Sequence, residues 1–198
     1  MNPMDAAFWN ERFSPEHYVY GETPNAFVAE YAPKIPAGPV LCLAEGEGRN
    51  AAYLAMLGHR VTAVDQSEVG LAKARRLAAS RGVAIETVVA DLENYSIAPG
   101  AWAGIVATFA HFPPRLRRKV HRAATAGLQP GGIFILEAYT PAQLALGTGG
   151  PKNPELLMTL ADLREDLSRL DLLVARELER DVIEGGRADC KMTALPAC

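Results

Sequence analysis

Between Val40 and Ala51 the chain reads Val-Leu-Cys-Leu-Ala-Glu-Gly-Glu-Gly-Arg-Asn-Ala, a short apolar run, a glycine-bearing turn and the start of an alanine- and leucine-rich segment. Glycine admits positive φ and lets backbone approach a ligand closely, while a helix start aims free N–H groups at the same spot. That is the pattern of a nucleotide-cofactor loop, although an ordinary strand-to-helix turn reads the same in isolation. The acids that follow discriminate. Asp65 closes the next apolar run about twenty residues after the turn, where a carboxylate can accept both ribose hydroxyls of a bound nucleotide. Asp91, beside Leu92 in Val89-Ala90-Asp91-Leu92, closes the run after that. A glycine turn with acids after the next two strands is one pocket seen from three sides, at the carboxyl edge of a parallel sheet. His111, in Phe109-Ala110-His111-Phe112-Pro113-Pro114, ends a fourth run and is the best-placed candidate for a general base, with a plain hydrogen-bonded surface histidine as the alternative.

Those residues need a sheet to hold them. From position 40 to about 140 apolar runs alternate with helix-period segments, the signature of a parallel sheet with crossover helices. The strands fall at Val40–Leu43, Val61–Val64, Ile85–Ala90, Gly104–Thr108 and Ile133–Tyr139, the last entered through the turn Pro130-Gly131-Gly132. Helices run from Ala51 to Leu57, from the cap Ser67 to a stop at Gly82, and from Pro114 to Gly127. Arg115, Arg117, Arg118, Lys119 and Arg122 on the last of these read as a solvated face, with a phosphate-binding surface as the alternative. Thr159 and Asp162 form a capping box before Leu160, Leu163, Leu167 and Leu170. Leu172–Ile183, Gly185-Gly186 and Lys191–Leu195 read as a closing hairpin.

The turn and its neighbours resemble the first motif of class I S-adenosylmethionine (SAM) methyltransferases, in particular the tellurite-resistance and thiol methyltransferase branch. The resemblance rests on Gly46-Glu47-Gly48-Arg49-Asn50, Val64-Asp65-Gln66-Ser67, Leu128-Gln129-Pro130-Gly131-Gly132 and Leu136-Glu137-Ala138-Tyr139. It extends to an N-terminal lid in Phe8-Trp9-Asn10-Glu11-Arg12-Phe13, Tyr18-Val19-Tyr20-Gly21 and Thr23-Pro24-Asn25, and to the loop Gly147-Thr148-Gly149-Gly150-Pro151. Where the family carries an acid, a first glycine and a cysteine, this chain has Cys42, Ala44 and Glu45. Glu45 sits where the amino group of SAM would lie and can replace the missing acid; Ala44 is acceptable if its φ is negative.

The resemblance implies a doubly wound, mostly parallel Rossmann-like α/β fold with a C-terminal antiparallel hairpin joining the sheet. It implies a cofactor site of Trp9, Tyr20, Ala44, Glu45, Gly46, Glu47, Gly48, Arg49, Asn50, Asp65, Gln66, Ser67, Asp91, Leu92 and Phe109. In that site Asp91 would meet the adenine amine, and a valine at position 48 would block the ligand while sparing the fold. Trp9, Phe13, Tyr18 and Tyr20 could offer aromatic faces to the sulfonium or simply pack an N-terminal helix on the sheet. His111, with Glu137 and Tyr139 beside it, would face the acceptor, and 140–154 would lie over it as a lid with Gly147, Gly149 and Gly150 as hinges. Soft acceptors such as thiols, selenides or reduced tellurium need alignment more than a base.

At 198 residues, 49% of them apolar, the chain suits a single domain spanning 1–198, with a lid in 1–36 and the cofactor core in 37–198. A net charge of −3 gives no reason to expect nucleic acid, and no apolar run reaches the roughly 18 residues that span a bilayer. Three scattered cysteines suggest neither disulfides nor a metal site and fit a cytoplasmic protein; the resemblance implies a small-molecule partner, and the oligomeric state is not encoded. Gly46 to Ala51 also satisfies the looser G-x-G-x-x-A pattern of an NAD-dependent oxidoreductase, but only about sixty residues follow the fifth strand, short of a second mononucleotide half. A non-catalytic SAM-binding protein is the other alternative.

Overall fold

The computed structural model describes residues 5–184 and 187–194. Five parallel strands form the central sheet: β1 (Pro39–Leu43), β2 (Arg60–Asp65), β3 (Glu86–Val89), β4 (Trp102–Thr108) and β5 (Leu128–Glu137). Their spatial order is β3-β2-β1-β4-β5. Val40 to Leu43 are all buried, without alternation, because crossover helices cover both faces of a parallel sheet. The winding direction reverses between β1 and β4, which pair from Val40 with Gly104 to Leu43 with Ala107. A crevice must open where such neighbours diverge, at their carboxyl ends.

The crossovers are α3 (Arg49–Met56), α4 (Glu68–Ser80) and α5 (Pro114–Gly127). α3 starts two residues before the Ala51 that periodicity suggests, because Glu45 Oε1 accepts the N–H groups of Asn50 and Ala51 at 3.0 and 2.8 Å and so supplies the cap from outside the helix. α4 is capped by Ser67, whose Oγ accepts the Gly70 N–H at 3.0 Å, and it buries Leu71, Ala74, Leu77 and Ala78. Each buried leucine contributes about 1.5–3 kcal/mol.

α5 has the bounds its sequence suggests, but Arg117 is not on a solvated face. It is 5% exposed, with Nε 2.7 Å from Asp166 Oδ2 and a second nitrogen 3.0 Å from Asp162. His121 Nδ1 lies 2.9 Å from the same Asp166 oxygen. Both acids belong to α7 (Leu160–Asp166), where Asp162 also completes the capping box with Thr159. Burial by itself raises the Asp166 carboxyl; the hydrogen bonds from His121 and Arg117, with the guanidinium charge, outweigh it and hold the carboxyl below its ordinary value. This ion cluster ties α5 to α7, which is why one basic residue of the five turned inward.

Two further elements differ from the sequence reading. β5 begins at Leu128, not Ile133, because Pro130-Gly131-Gly132 is a bulge within the strand: pairing passes from Trp102 with Leu128 to Gly104 with Ile133. A Cβ on Gly132 would meet three carbonyl oxygens at 2.9–3.2 Å, so only glycine fits there. The C-terminal hairpin, β6 (Leu178–Glu184) and β7 (Arg187–Ala194), forms its own two-stranded antiparallel sheet and does not join the parallel one. Its strand Leu-Glu-Arg-Asp-Val-Ile-Glu is too charged for a site buried on both faces. The Gly185-Gly186 turn and Leu195 lie outside the described residues. α1 (Ala6–Arg12) and α2 (Ala26–Tyr31) precede the sheet, and α6 (Gln143–Leu146) follows β5. Among the described residues no helix is long and apolar enough to cross a membrane, and no cluster of three His, Cys, Asp or Glu could hold a metal ion.

Candidate cofactor and active site

A cavity of about 530 Å³ opens at the carboxyl edge of the sheet, within the roughly 300–1,000 Å³ of small-molecule sites. Its floor is the switch point. Ala44 directly after β1 and Phe109 directly after β4 have φ of +50° and +54°, the two described non-glycine residues in the left-handed region. Ala44 thus lacks the negative φ expected of an alanine at a position where the family carries glycine. The chain must turn out of the sheet at once here, and it does so at a cost of roughly 1–2 kcal/mol per L-residue. Ala44→Gly should relieve that strain. Set against about 0.5–1 kcal/mol of added unfolded-chain entropy, the net gain is about 0–1.5 kcal/mol, read as a higher urea midpoint; a lower midpoint would show that the methyl group packs usefully.

Three carboxylates surround this floor. Glu45 is anchored to the start of α3, and burial, opposed by those backbone N–H groups and by Arg49, raises its pKa to about 7. It also lies against Cys42, whose thiol burial and this carboxylate push well up. Asp65 has a task the sequence did not disclose: its two oxygens accept the Gly46 and Ser67 N–H groups, each at 2.8 Å, so it locks the glycine turn to the end of β2. Burial raises this carboxyl too, against the N–H groups of Ser67, Gly46 and Gln66. Asp91 is exposed on the rim, with Oδ1 accepting the Glu93 N–H at 2.8 Å.

The N-terminal segment is pinned over the turn. Lys73 of α4 is 2% exposed and donates to the carbonyls of Phe13, Pro15 and His17 at 3.3, 2.8 and 2.7 Å, while ion-pairing with Glu47 Oε1. Glu47 Oε2 in turn accepts the Val19 and Tyr20 N–H groups. Arg49 donates to the Tyr20 carbonyl at 3.1 Å. Asn50 receives the Asn25 N–H at 2.9 Å and donates to Thr108 at 3.0 Å, and Asn25 reaches Glu137 at 2.5 Å, so α3, the N-terminal segment, β4 and β5 share one buried network. Trp9 and Tyr20 line the cavity, with Trp9 stacked on buried Phe13 at 5.4 Å. Tyr18 turns away, its ring 5.0 Å from the Lys73 ammonium.

On the opposite wall His111 stacks on Tyr139 at 5.4 Å and 19°, and Phe109 lies 4.9 Å from the same ring. The loop 147–152 lines this wall. Gly150, at φ +75°, is pressed onto Tyr139 so closely that a Cβ would come within 2.8 Å of the ring. Here the loop glycine serves close packing as well as any hinge.

Most of the residues singled out by sequence therefore meet in one cavity: Trp9, Tyr20, Ala44 to Glu47, Arg49, Asn50, Asp65, Gln66, Asp91, Leu92, Phe109 and His111 line it. Gly48 and Ser67 do not. A Cβ on Gly48 would strike Ala74 of α4 at 2.4 Å, so this glycine, at φ +89°, serves helix packing. Ser67 is fully buried, capping α4 and hydrogen-bonded to Asn10 at 2.7 Å. Glu137, expected beside His111 facing the acceptor, is instead buried in the Asn25 network and does not line the cavity. Sequence reasoning missed Lys73, Thr108 and Gln143, a buried cavity-lining residue of α6. Lys73 was findable: it falls on the apolar face that Gly70, Leu71, Ala74, Leu77 and Ala78 define.

The parallel five-stranded sheet with its flanking helices is the Rossmann-like fold of methyltransferases. Residues 40–132 match the family model described as a methyltransferase domain. An uncharacterised methyltransferase of Bacillus subtilis, YodH, is 30% identical over 108 residues, 54% of this chain and 46% of that protein. The match thus spans about half the length of this curated relative. Among solved structures, one from work on the conversion of a disulfide bond into a thioacetal group during echinomycin biosynthesis has a TM-score of 0.73 at 20% identity, covering 98% of this chain and 89% of the other. TehB from Haemophilus influenzae has a TM-score of 0.71 at 20% identity, covering 97% and 66%. At that identity the likeness is one of fold.

Proposed function

We propose that this protein is an enzyme that transfers a methyl group from SAM to a small-molecule acceptor, favouring a thiol, selenium or tellurium species, and that it works in the cytoplasm as a single domain. The observation that carries the reading is the set of carboxylates, Glu45, Asp65 and Asp91, that the ends of β1, β2 and β3 bring around one glycine turn. A ligand with an ammonium group, a ribose and an adenine matches that set: Glu45 for the ammonium, Asp65 and Gln66 for the ribose, Asp91 and Leu92 for the base. When bound, SAM supplies an electrophilic methyl on a sulfonium. Trp9 and Tyr20 offer ring faces to that cation. The pinned N-terminal segment and the loop 147–152 keep water out, and the walls hold donor and acceptor in line, which is most of what methyl transfer requires. An acceptor of sulfur, selenium or tellurium is supported by the motif resemblance.

Calorimetry tests the donor. SAM and its demethylated product should bind, with no comparable heat from NAD. Because Glu45 titrates at about 7 and only its ionised form attracts an ammonium, SAM affinity should weaken as pH falls, by about tenfold between pH 8 and 6. Glu45→Gln should bind less tightly and lose that dependence. Tight NAD binding with silence toward SAM would sink the assignment, and a pH-independent SAM affinity in the parent would remove Glu45 from the ammonium site. Labelled-methyl turnover with thiols, selenite and tellurite, sampled in headspace and solution, separates an enzyme from a binding protein of the same fold.

A further inference from the structure

α5 carries a row of cations that its own stability does not explain. With Arg117 turned inward, Arg115, Arg118, Lys119 and Arg122 remain at offsets of three, four and seven residues, which place them on one helix face. Arg115, Lys119 and Arg122 are exposed and Arg118 is half-buried. Like charges at those spacings repel. The row also begins in the first turn, where the helix dipole favours acids over cations, and that turn has neither an acid nor a side-chain cap.

Among the described residues Arg115, Arg118 and Arg122 make no hydrogen bond or ion pair, and Lys119 donates to the Glu93 carbonyl, not to a carboxylate. The cations of α4 and its C-terminal cap are handled differently. Lys73 pairs with Glu47, Arg75 donates to Thr87 Oγ1 at 2.6 Å, Arg76 hydrogen-bonds the Tyr18 hydroxyl and Arg81 donates to the Glu22 carbonyl at 2.5 Å. A local rule broken with no compensating partner inside the chain points to a partner outside it.

The shape and reach of the row select that partner. A convex helix face cannot surround a small anion, so these four groups suit an opposing surface. From Arg115 to Arg122 they span about 10 Å, two turns at 1.5 Å per residue, and Ala123 to Gly127 carry no charge after them. The chain as a whole carries −3, so without these four cations the rest of it would carry −7. Duplex nucleic acid or an anionic membrane would extend well past the row, by more than the Debye length of about 8 Å at physiological salt, and meet that acidic remainder. Two turns of an acidic helix end where the row ends.

From this arrangement we propose that the outer face of α5 docks an acidic helix of a partner protein, with carboxylates at positions i, i+3, i+4 and i+7 set against Arg115, Arg118, Lys119 and Arg122. Pro113 and Leu116, at the start of the same helix, line the cavity, so the docked partner stands beside its mouth. The docking is independent of what the cavity holds.

A labelled helical peptide with glutamate at that spacing, its glutamine counterpart, a short DNA duplex and phosphatidylglycerol vesicles are each titrated into the protein at low ionic strength. The glutamate peptide should bind at least about tenfold tighter than the glutamine peptide, and should lose that advantage as salt rises from roughly 0.01 to 0.15 M and the Debye length falls from about 30 to 8 Å. Arg115→Gln, Arg118→Gln and Arg122→Gln together should weaken it about tenfold, the combined worth of three exposed ion pairs. Lys34→Gln, Arg60→Gln and Arg169→Gln together, an equal change of charge at exposed positions on other elements, should weaken it less than about twofold. Because the row opposes the dipole and repels itself, the α5 triple variant should unfold at a urea midpoint no lower than the parent's. A lower midpoint would show that these cations serve the fold and would overturn the proposal. So would a glutamate peptide that binds no tighter than the glutamine one, equal binding to the two triple variants, or a duplex or vesicle that binds more tightly than the peptide.

Discussion

Gly48→Val is expected to unfold the protein under mild conditions and not merely to empty its cofactor site. A Cβ at 48 would sit 2.4 Å from Ala74 Cβ and 2.5 Å from its Cα, and the residue has φ +89°, which a β-branched side chain resists. Overpacking costs about 1–3 kcal/mol and the left-handed backbone about 1–2 more, so a loss of about 2–5 kcal/mol is the expected scale. Urea denaturation measures it. Ala74→Gly in the same chain should rescue only part, because it removes the Cβ contact and leaves the Cα one. A Gly48→Val protein with the parental midpoint and no SAM binding would return this residue to the cavity wall, where the sequence had placed it.

Lys73→Met should be nearly as damaging. It leaves Glu47 as an unpaired carboxylate, 4% exposed, and takes the ammonium from the carbonyls of Phe13, Pro15 and His17. Breaking one partner of a buried ion pair costs about 3–5 kcal/mol. The damage should be directional. Residues 13–20 lose their anchor to α4, so limited proteolysis should cut there first, and SAM affinity should fall at least about tenfold as Trp9 and Tyr20 leave the cavity wall. Lys73→Met with Glu47→Gln should recover stability, since Gln keeps an acceptor for the Val19 and Tyr20 N–H groups without a buried charge. If the single variant keeps both the parental midpoint and its resistance to protease, the clasp does not hold the segment.

The sequence determined the parallel sheet, the three crossover helices and the side of the sheet on which chemistry gathers. These follow from local rules: apolar runs of strand length, caps such as Ser67 and Thr159, and the fact that residues just past successive parallel strands share one edge. For that reason the glycine turn, Asp65 and Asp91 could be placed in one cavity from spacing, and the family resemblance added Glu45 and His111. What only the tertiary structure decided is how each group is used, because that depends on partners distant in sequence. Gly48 follows Ala74, 26 positions away, and not a ligand; Arg117 is buried because Asp162 and Asp166 of α7 meet it. Asp65 braces the glycine turn that it also flanks, and Ala44 accepts a left-handed φ because the strand must leave the sheet there. The charged C-terminal strands pair with each other because a site with both faces buried would leave their charges without water. His111 stood at a strand end on sequence alone; only the Leu156 carbonyl, 45 residues on, fixes its proton on Nδ1 and leaves Nε2 as a buried acceptor without a donor among the described residues.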